Sequence, residues 1–205
     1  MAMFTRLMAV GALCAGLGGP ALSAADPFSR EPSVDYSAVR DITSSEGSVS
    51  MKEYYADGDR RLEMNMDGMT AVVLDSKQQG KSYMLMPEMK MYMEMPSARL
   101  ARQTGDVEVI EQKKVGSETI NGLKVDKYQS VFKDASGNEG KGYYWVTKED
   151  IVVKVDMTVV SGGKERAFLM QLNDLRIADQ PASLFSLPKG YTAAPAMGGM
   201  PGMPR

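Results

Sequence analysis

The chain has 205 residues, 24 Lys and Arg against 26 Asp and Glu, no histidine and a single cysteine, Cys14. A formal charge of −2 with no basic run argues against nucleic acid as a partner. Without histidine there is no Ser-His-Asp triad, and once Cys14 is removed there is no thiolate nucleophile, disulfide or ordinary zinc site, so we expect neither an enzyme nor a cofactor.

Residues 1–25 read as a secretory signal peptide. "MAMFTR" supplies the charge of Arg6, "LMAVGALCAGLGG" an apolar run, and "PALSAA" a small-residue cleavage site before Asp26. Leu13 stands immediately before Cys14, where a lipoprotein signal has Gly or Ala, so cleavage after Ala24 or Ala25 is expected rather than lipidation. Loss of Arg6 lowers the formal charge by one unit. No later stretch is apolar enough for a membrane-crossing helix. The sequence predicts a periplasmic protein with one domain over 26–191, followed by a structureless Met/Gly/Pro tail over 192–205.

From residue 34 onward the pattern alternates with the period of a half-buried strand. "VDYSAVRDI" and "SVSMKEYY" flank the turn "SSEG". Asp57-Gly58 and Asp67-Gly68 are hairpin signals around "RRLEMNM", because both residue pairs accept the positive φ of a type I′ turn. "MTAVVLD", "KSYMLM" and "MYMEM" follow, separated by "SKQQG" and "PEMK". "PSARLARQTGD" (96–106) breaks the rhythm with an expected helical turn or two, begun by Ser97.

Strands return with "VEVIEQKKV", "SETI", the Asn121-Gly122 turn, "LKVDKYQSVF", "GYYWVT", "IVVKVDMTVV", the Ser161-Gly162-Gly163 turn and "ERAFLMQLNDL". "QPASLFSLPKGY" (180–191) reads as a short helix and a terminal turn, with Phe185 and Tyr191 expected to close the end of a barrel. A turn roughly every ten residues favours an antiparallel sandwich or barrel.

Four blocks carry a family resemblance: "YYADGDRRLEM", "VGSETINGLKVDKY" (115–128), "GYYWVTKEDIVVKVDM" (142–157) and "LFSLPKGY" (184–191). In that order and spacing, the stretch from about 34 to 191 resembles the outer-membrane lipoprotein carrier (LolA-like) superfamily, in particular its small exported branch of uncharacterised members. The resemblance implies a mainly β, curved antiparallel half-barrel with few short helices lidding an apolar concave face, and carriage of lipid or lipid-modified protein. The sparse helical content here predicts a small or missing lid. The resemblance brings no catalytic residues with it.

Methionine is concentrated in "MNMDGM" (64–69) and "MLMPEMKMYMEMP" (84–96). Residues two apart on a strand share a face, so Met64 and Met66 lie together with Leu62. A two-residue turn at 67–68 would set Met66 opposite Met69, and an even loop at 87–90 would set Met86 opposite Met91 and Met84 opposite Met93, with Met95 following. Whether the two methionine walls share one face depends on the parity of the "SKQQG" loop, which the sequence leaves open.

Burying Met costs about 1.5–2 kcal/mol of side-chain entropy against about 0.5–1 for Leu or Ile. A face of many methionines therefore suits a mobile, polarizable surface better than a packed core. The expected role is to hold a lipid or other apolar small molecule on Met64, Met66, Met69, Met84, Met86, Met91, Met93 and Met95. A second reading is Cu(I) or Ag(I) bound by the thioethers of Met64, Met66 and Met69, since soft sulfur selects soft ions. A third is an oxidant sink reversed by sulfoxide reduction, and a fourth is ordinary core.

Lesser signals have plainer readings. "DASGNEGK" (134–141) reads as a hairpin turn rather than a calcium loop, with Glu139 where an EF-hand needs Gly. Arg60-Arg61 and Lys113-Lys114 read as solvated pairs, and Trp145 with Tyr143 and Tyr144 as sheet core.

Overall fold

The computed structural model describes residues 30–66, 68–77, 80–96, 107–134 and 137–194. Among them the chain forms β1 (Tyr36–Ser44), β2 (Gly47–Ala56), β3 (Asp59–Met66), β4 (Met69–Ser76), β5 (Lys81–Met86), β6 (Met91–Pro96), β7 (Val107–Ile120), β8 (Leu123–Asp134), β9 (Glu139–Val146), β10 (Val152–Ser161), β11 (Lys164–Ile177) and β12 (Thr192–Ala193). Two 3-10 turns, Pro87–Met89 and Ala182–Phe185, are the only helical segments among the described residues. All strands belong to one open sheet in the order β12-β6-β5-β4-β3-β2-β1-β11-β10-β9-β8-β7. Every neighbouring pair is antiparallel except β12 with β6. The mainly β, antiparallel fold class expected from the sequence is the one found.

Connectivity forces this sheet to curl. Strands lie about 4.7–4.9 Å apart, so the ten steps from β6 to β7 would span about 48 Å if flat. Yet these strands are consecutive in the chain, and the eleven Cα steps from Pro96 to Val107 reach at most about 40 Å fully extended. Curling gives the sheet an inner face, which carries Tyr36, Tyr144, Val153, Val155, Met170 and Leu172 at no more than 4% exposure. β9 has glycine at two inner positions where neighbours lie close over the strand. A Cβ on Gly140 would meet the Phe132 ring at 2.1 Å, and one on Gly142 would meet the Asp156 carbonyl oxygen at 2.2 Å.

The turn chemistry is local. Asp57-Gly58 (φ 50° and 90°) and Asn121-Gly122 (φ 49° and 79°) have the paired positive φ of type I′ hairpins. At the β10–β11 hairpin Ser161 is already paired with Lys164, so the turn is Gly162-Gly163 alone. "VEVIEQKKV" and "SETI" are one strand, β7, with register shifts at Ile110 and Val115 where two elements are expected.

Three further expectations are corrected. Thr192–Ala193, at the head of the segment expected to be structureless, pairs in parallel with Met91 and Tyr92, and Ala194 N–H donates to the Tyr92 carbonyl at 2.7 Å. Tyr191 does not close a barrel end; with Leu187 it packs on the outer face against Val72, Leu74 and Leu85. Of the three aromatics expected as sheet core, Tyr144 and Trp145 join the main core cluster, and Tyr143 does not. Tyr143 is 38% exposed, while Trp145 is buried beneath Lys127 and Lys154, whose ammonium groups stand 4.8 and 4.6 Å from its ring. The segments expected as signal peptide (1–25), helical turns (97–106) and most of the tail (195–205) lie outside the described residues.

Candidate functional site

Register settles the parity that the sequence leaves open. Four residues separate β4 from β5, with Ser76 paired to Lys81, and this even count keeps both methionine hairpins in phase. Met51 faces Met64, Met64 faces Ala71, and Met66 faces Met69. Val73 faces Met84, which faces Met93, while Met86 faces Met91 and Ser82 faces Met95. The β3–β4 and β5–β6 pairings are those the hairpin spacing predicts.

All eight predicted positions therefore belong to one face of four adjacent strands, joined by Met51 of β2. It is the inner face, because Arg40, paired with Met51, also pairs with buried Leu172 of β11. Directly opposed residues have Cβ atoms about 5 Å apart, so the face carries two methionine walls with Ala71 and Val73 of β4 between them.

Burial is graded along this surface. Met51 and Met95 are buried at 9% and 8% exposure, Met64, Met84, Met86, Met91 and Met93 are half-buried, and Met69 is 51% exposed at the β3–β4 tip. Met157 and Met170, by contrast, join the main core cluster with Tyr144, Val153 and Leu172. Neither core cluster formed among the described residues includes Met64, Met69, Met84, Met86, Met91, Met93 or Met95.

A polar group divides the methionine region from that core. Glu53, fully buried, accepts from Tyr36 Oη at 2.9 Å and from Arg40 Nε at 2.5 Å. Arg60 Nε lies 3.3 Å from the same carboxylate as an ion pair without hydrogen-bond alignment. Burial alone would raise the Glu53 carboxyl, but the two guanidinium groups and the hydrogen bonds from Arg40 and Tyr36 outweigh it and hold it below the usual carboxylate range. Burial, reinforced by the Glu53 charge, pushes the Tyr36 phenol above its ordinary value.

The polar row continues past Arg60 to Asp75 and Ser82, whose hydroxyl donates to Asp75 at 2.7 Å. Sequence reading missed this cluster, although the alternation in "MKEYY" carries the signal. Glu53 shares its face with Met51 and Tyr55, and a charge between two inward residues needs an opposite charge nearby.

Arg60 and Arg61 are not the solvated pair expected. They split across the sheet, Arg60 to Glu53 and Arg61 to Glu63 (2.7 Å) and the Leu184 carbonyl (3.0 Å). Lys114 is tied to Asp126 at 2.6 Å. Among the described residues no three His, Cys, Asp or Glu side chains are grouped to hold a metal ion.

Comparison with known proteins bears on the fold. A family model described as "Domain of unknown function (DUF4412)" matches residues 40–157. An uncharacterised conserved protein of Thermus thermophilus is 10% identical, with a TM-score of 0.53 over 79% of this chain and 90% of its own, so the two share a fold. Lipoprotein LppX of Mycobacterium tuberculosis is 9% identical with a TM-score of 0.40, covering 70% of this chain and 88% of its own. A putative outer membrane lipoprotein-sorting protein domain from Vibrio parahaemolyticus is 9% identical with a TM-score of 0.27, covering 75% and 90%. No curated protein matches the sequence.

Proposed function

The chain belongs to the DUF4412 family, and we propose that it is a non-catalytic periplasmic carrier that holds a lipid or other apolar ligand on its methionine-lined inner face. The observation that carries this reading is the register, which brings methionines of β3, β4, β5 and β6 to one face while leaving most of them half-buried. A packed core would spend side-chain entropy on every one of them; a surface left loose until a ligand covers it does not. The likeness of its sequence blocks to the lipoprotein carrier superfamily supports the same role. Glu53 does not serve as a free base, because its carboxylate is ion-paired to two arginines and accepts from a tyrosine.

The energetics suit exchange rather than permanent capture. A sixteen-carbon chain at about 0.8 kcal/mol per buried CH₂ gives about 13 kcal/mol gross. Association costs of about 4–15 kcal/mol leave at most about 9 kcal/mol, so the affinity is micromolar at its tightest.

The test is native mass spectrometry of the protein exported with its own N-terminal segment and purified without detergent. Lipid-sized adducts are expected, and they should disappear in Met84→Glu and Met93→Glu, each of which sets a carboxylate in the middle of the face. An adduct-free protein that also fails to bind palmitate would end this reading. Stoichiometric Cu(I) uptake under anaerobic conditions, abolished by Met64→Leu with Met66→Leu, would replace it with a thioether metal site.

A further inference from the structure

Accessibility falls along the methionine surface from the hairpin tips inward. Met69 and Met89 stand 51% and 53% exposed at two tips that are tied together, since Thr70 N–H donates to Glu88 Oε1 at 2.9 Å. Next along β5 and β6 come the opposed pairs Met86–Met91 and Met84–Met93, half-buried, and then Met95 at 8% exposure. Sulfur is therefore offered to solvent at the tip and continues, residue by residue, into the proposed binding surface.

We propose that this surface is a reversible oxidation switch, in which sulfoxide formation at Met84, Met86, Met91 and Met93 releases the apolar ligand. The proposal rests on the carrier reading above and names how that site is regulated. The reaction needs only a peroxide. Hydrogen peroxide transfers one oxygen atom to the thioether, the O–O bond breaks as the S–O bond forms, sulfur loses two electrons and water leaves. The product replaces a soft apolar sulfur by a strong dipole. A sulfoxide facing an alkyl chain has no hydrogen-bond donor there, and a covered polar group without a partner opposes burial.

The surrounding framework is arranged to survive the change. Met157 and Met170, at 4% exposure in the core cluster, are shielded, and the outer side of β4–β6 is held by Val72, Leu74, Leu85, Leu187 and Tyr191, none of which contains sulfur. Oxidation should therefore alter the surface before it unfolds the sheet. Reduction by methionine sulfoxide reductases with a thiol reductant restores the thioether.

The experiment oxidises the full chain with graded hydrogen peroxide, maps sulfoxides by peptide mass spectrometry, and measures affinity for cis-parinaric acid by fluorescence at each stage. The expected order is Met69 and Met89, then the half-buried Met64, Met84, Met86, Met91 and Met93, then Met51 and Met95, with Met157 and Met170 last. Affinity should fall least in the first stage, where Met69 lies at the exposed rim of the face, and about tenfold per sulfoxide at Met84, Met86, Met91 and Met93 in the second, equivalent to about 1.4 kcal/mol each. Treatment with the reductases should restore it.

In a protein carrying leucine at positions 84, 86, 91 and 93, the ratio of affinities before and after peroxide should approach one. Unchanged affinity with those four positions oxidised overturns the switch, as does oxidation of Met157 and Met170 as fast as the surface set. Absence of probe binding before any peroxide is added would instead overturn the carrier reading and the switch with it. The two failures are thus distinguishable.

Discussion

Replacing Glu53 by glutamine tests whether one carboxylate holds the centre of the inner face together. The amide keeps the shape but leaves Arg40 and Arg60, 19% and 39% exposed, without the negative charge that lies 2.5 and 3.3 Å from them. Removing one partner from a buried ion pair costs about 3–5 kcal/mol. Arg60 regains part of its hydration at that exposure, so the lower end, about 3 kcal/mol, is expected. For a domain of this size each kcal/mol moves Tm by about 2–4 °C, giving a fall of about 6–12 °C by calorimetry at pH 7.

The pH dependence supplies an independent check. The folded-state pKa of Glu53 is depressed, so its contribution is present above the ordinary glutamate pKa of about 4.3 and is lost as pH falls through the folded value. The wild-type stability should therefore drop steeply below about pH 4.3, and Glu53→Gln should flatten that limb. As a control, Glu46→Gln removes an exposed pair with Arg166 and should change nothing measurable. A Tm loss in Glu53→Gln no larger than that control would refute the reasoning. Converting the set together to Arg40→Met, Glu53→Leu and Arg60→Met should recover most of the loss, because no charge then remains buried and alone.

Gly142→Ala should destabilise by about 2–3 kcal/mol in urea titrations, because its new Cβ meets the Asp156 carbonyl and the Met157 Cα, backbone atoms that cannot turn aside. Gly140→Ala, whose nearest contacts are the Phe132 ring rather than backbone, should cost less, and equal losses would contradict the backbone-contact account. Tyr191→Ala uncovers part of the outer cluster and should cost about 1.5 kcal/mol. Hydrogen exchange should quicken in β6, beside β12, while β10 and β11 stay protected; unaltered β6 exchange would mean that the C-terminal segment does not hold this edge.

What the sequence made legible was local. Asp57-Gly58 and Asn121-Gly122 announce their own backbone conformation, and once a two-residue turn is fixed the pairing Met66 with Met69 follows by counting. The methionine pairs across 87–90 were legible for the same reason. Facts set between distant parts of the chain were not. The parity of residues 77–80 decides whether two hairpins share a face, and a single residue more or fewer would reverse it. Tyr143 misled because its ring lies under the Lys127 ammonium at 38% exposure, a use of long cationic side chains that a hydrophobicity pattern does not record. Thr192–Ala193 misled because a two-residue parallel strand is held by its partner strand, not by its own propensity.

A soft face and a fixed fold make opposite demands on one sheet, and this sheet meets them on different strands and different sides. Around β1, β2 and β8–β11 the inner face is filled by aromatic and branched residues, including stacked Tyr36–Tyr55 and Tyr128–Tyr144, with Glu53 paired to Arg40 and Arg60 at its edge. Across β3–β6 the inner face is left to methionine, and the anchoring passes to the outer side, where Val72, Leu74 and Leu85 are at most 2% exposed beneath Leu187 and Tyr191. Strands pinned from behind can keep mobile side chains in front without losing their pairing. If the outer cluster is what permits that looseness, Leu85→Ala should raise the exchange of β4–β6 amides and weaken ligand binding together. Leu85 projects away from the methionines and touches no ligand on their face. Loss of stability with undiminished binding would show instead that the methionine surface keeps its shape without support from behind.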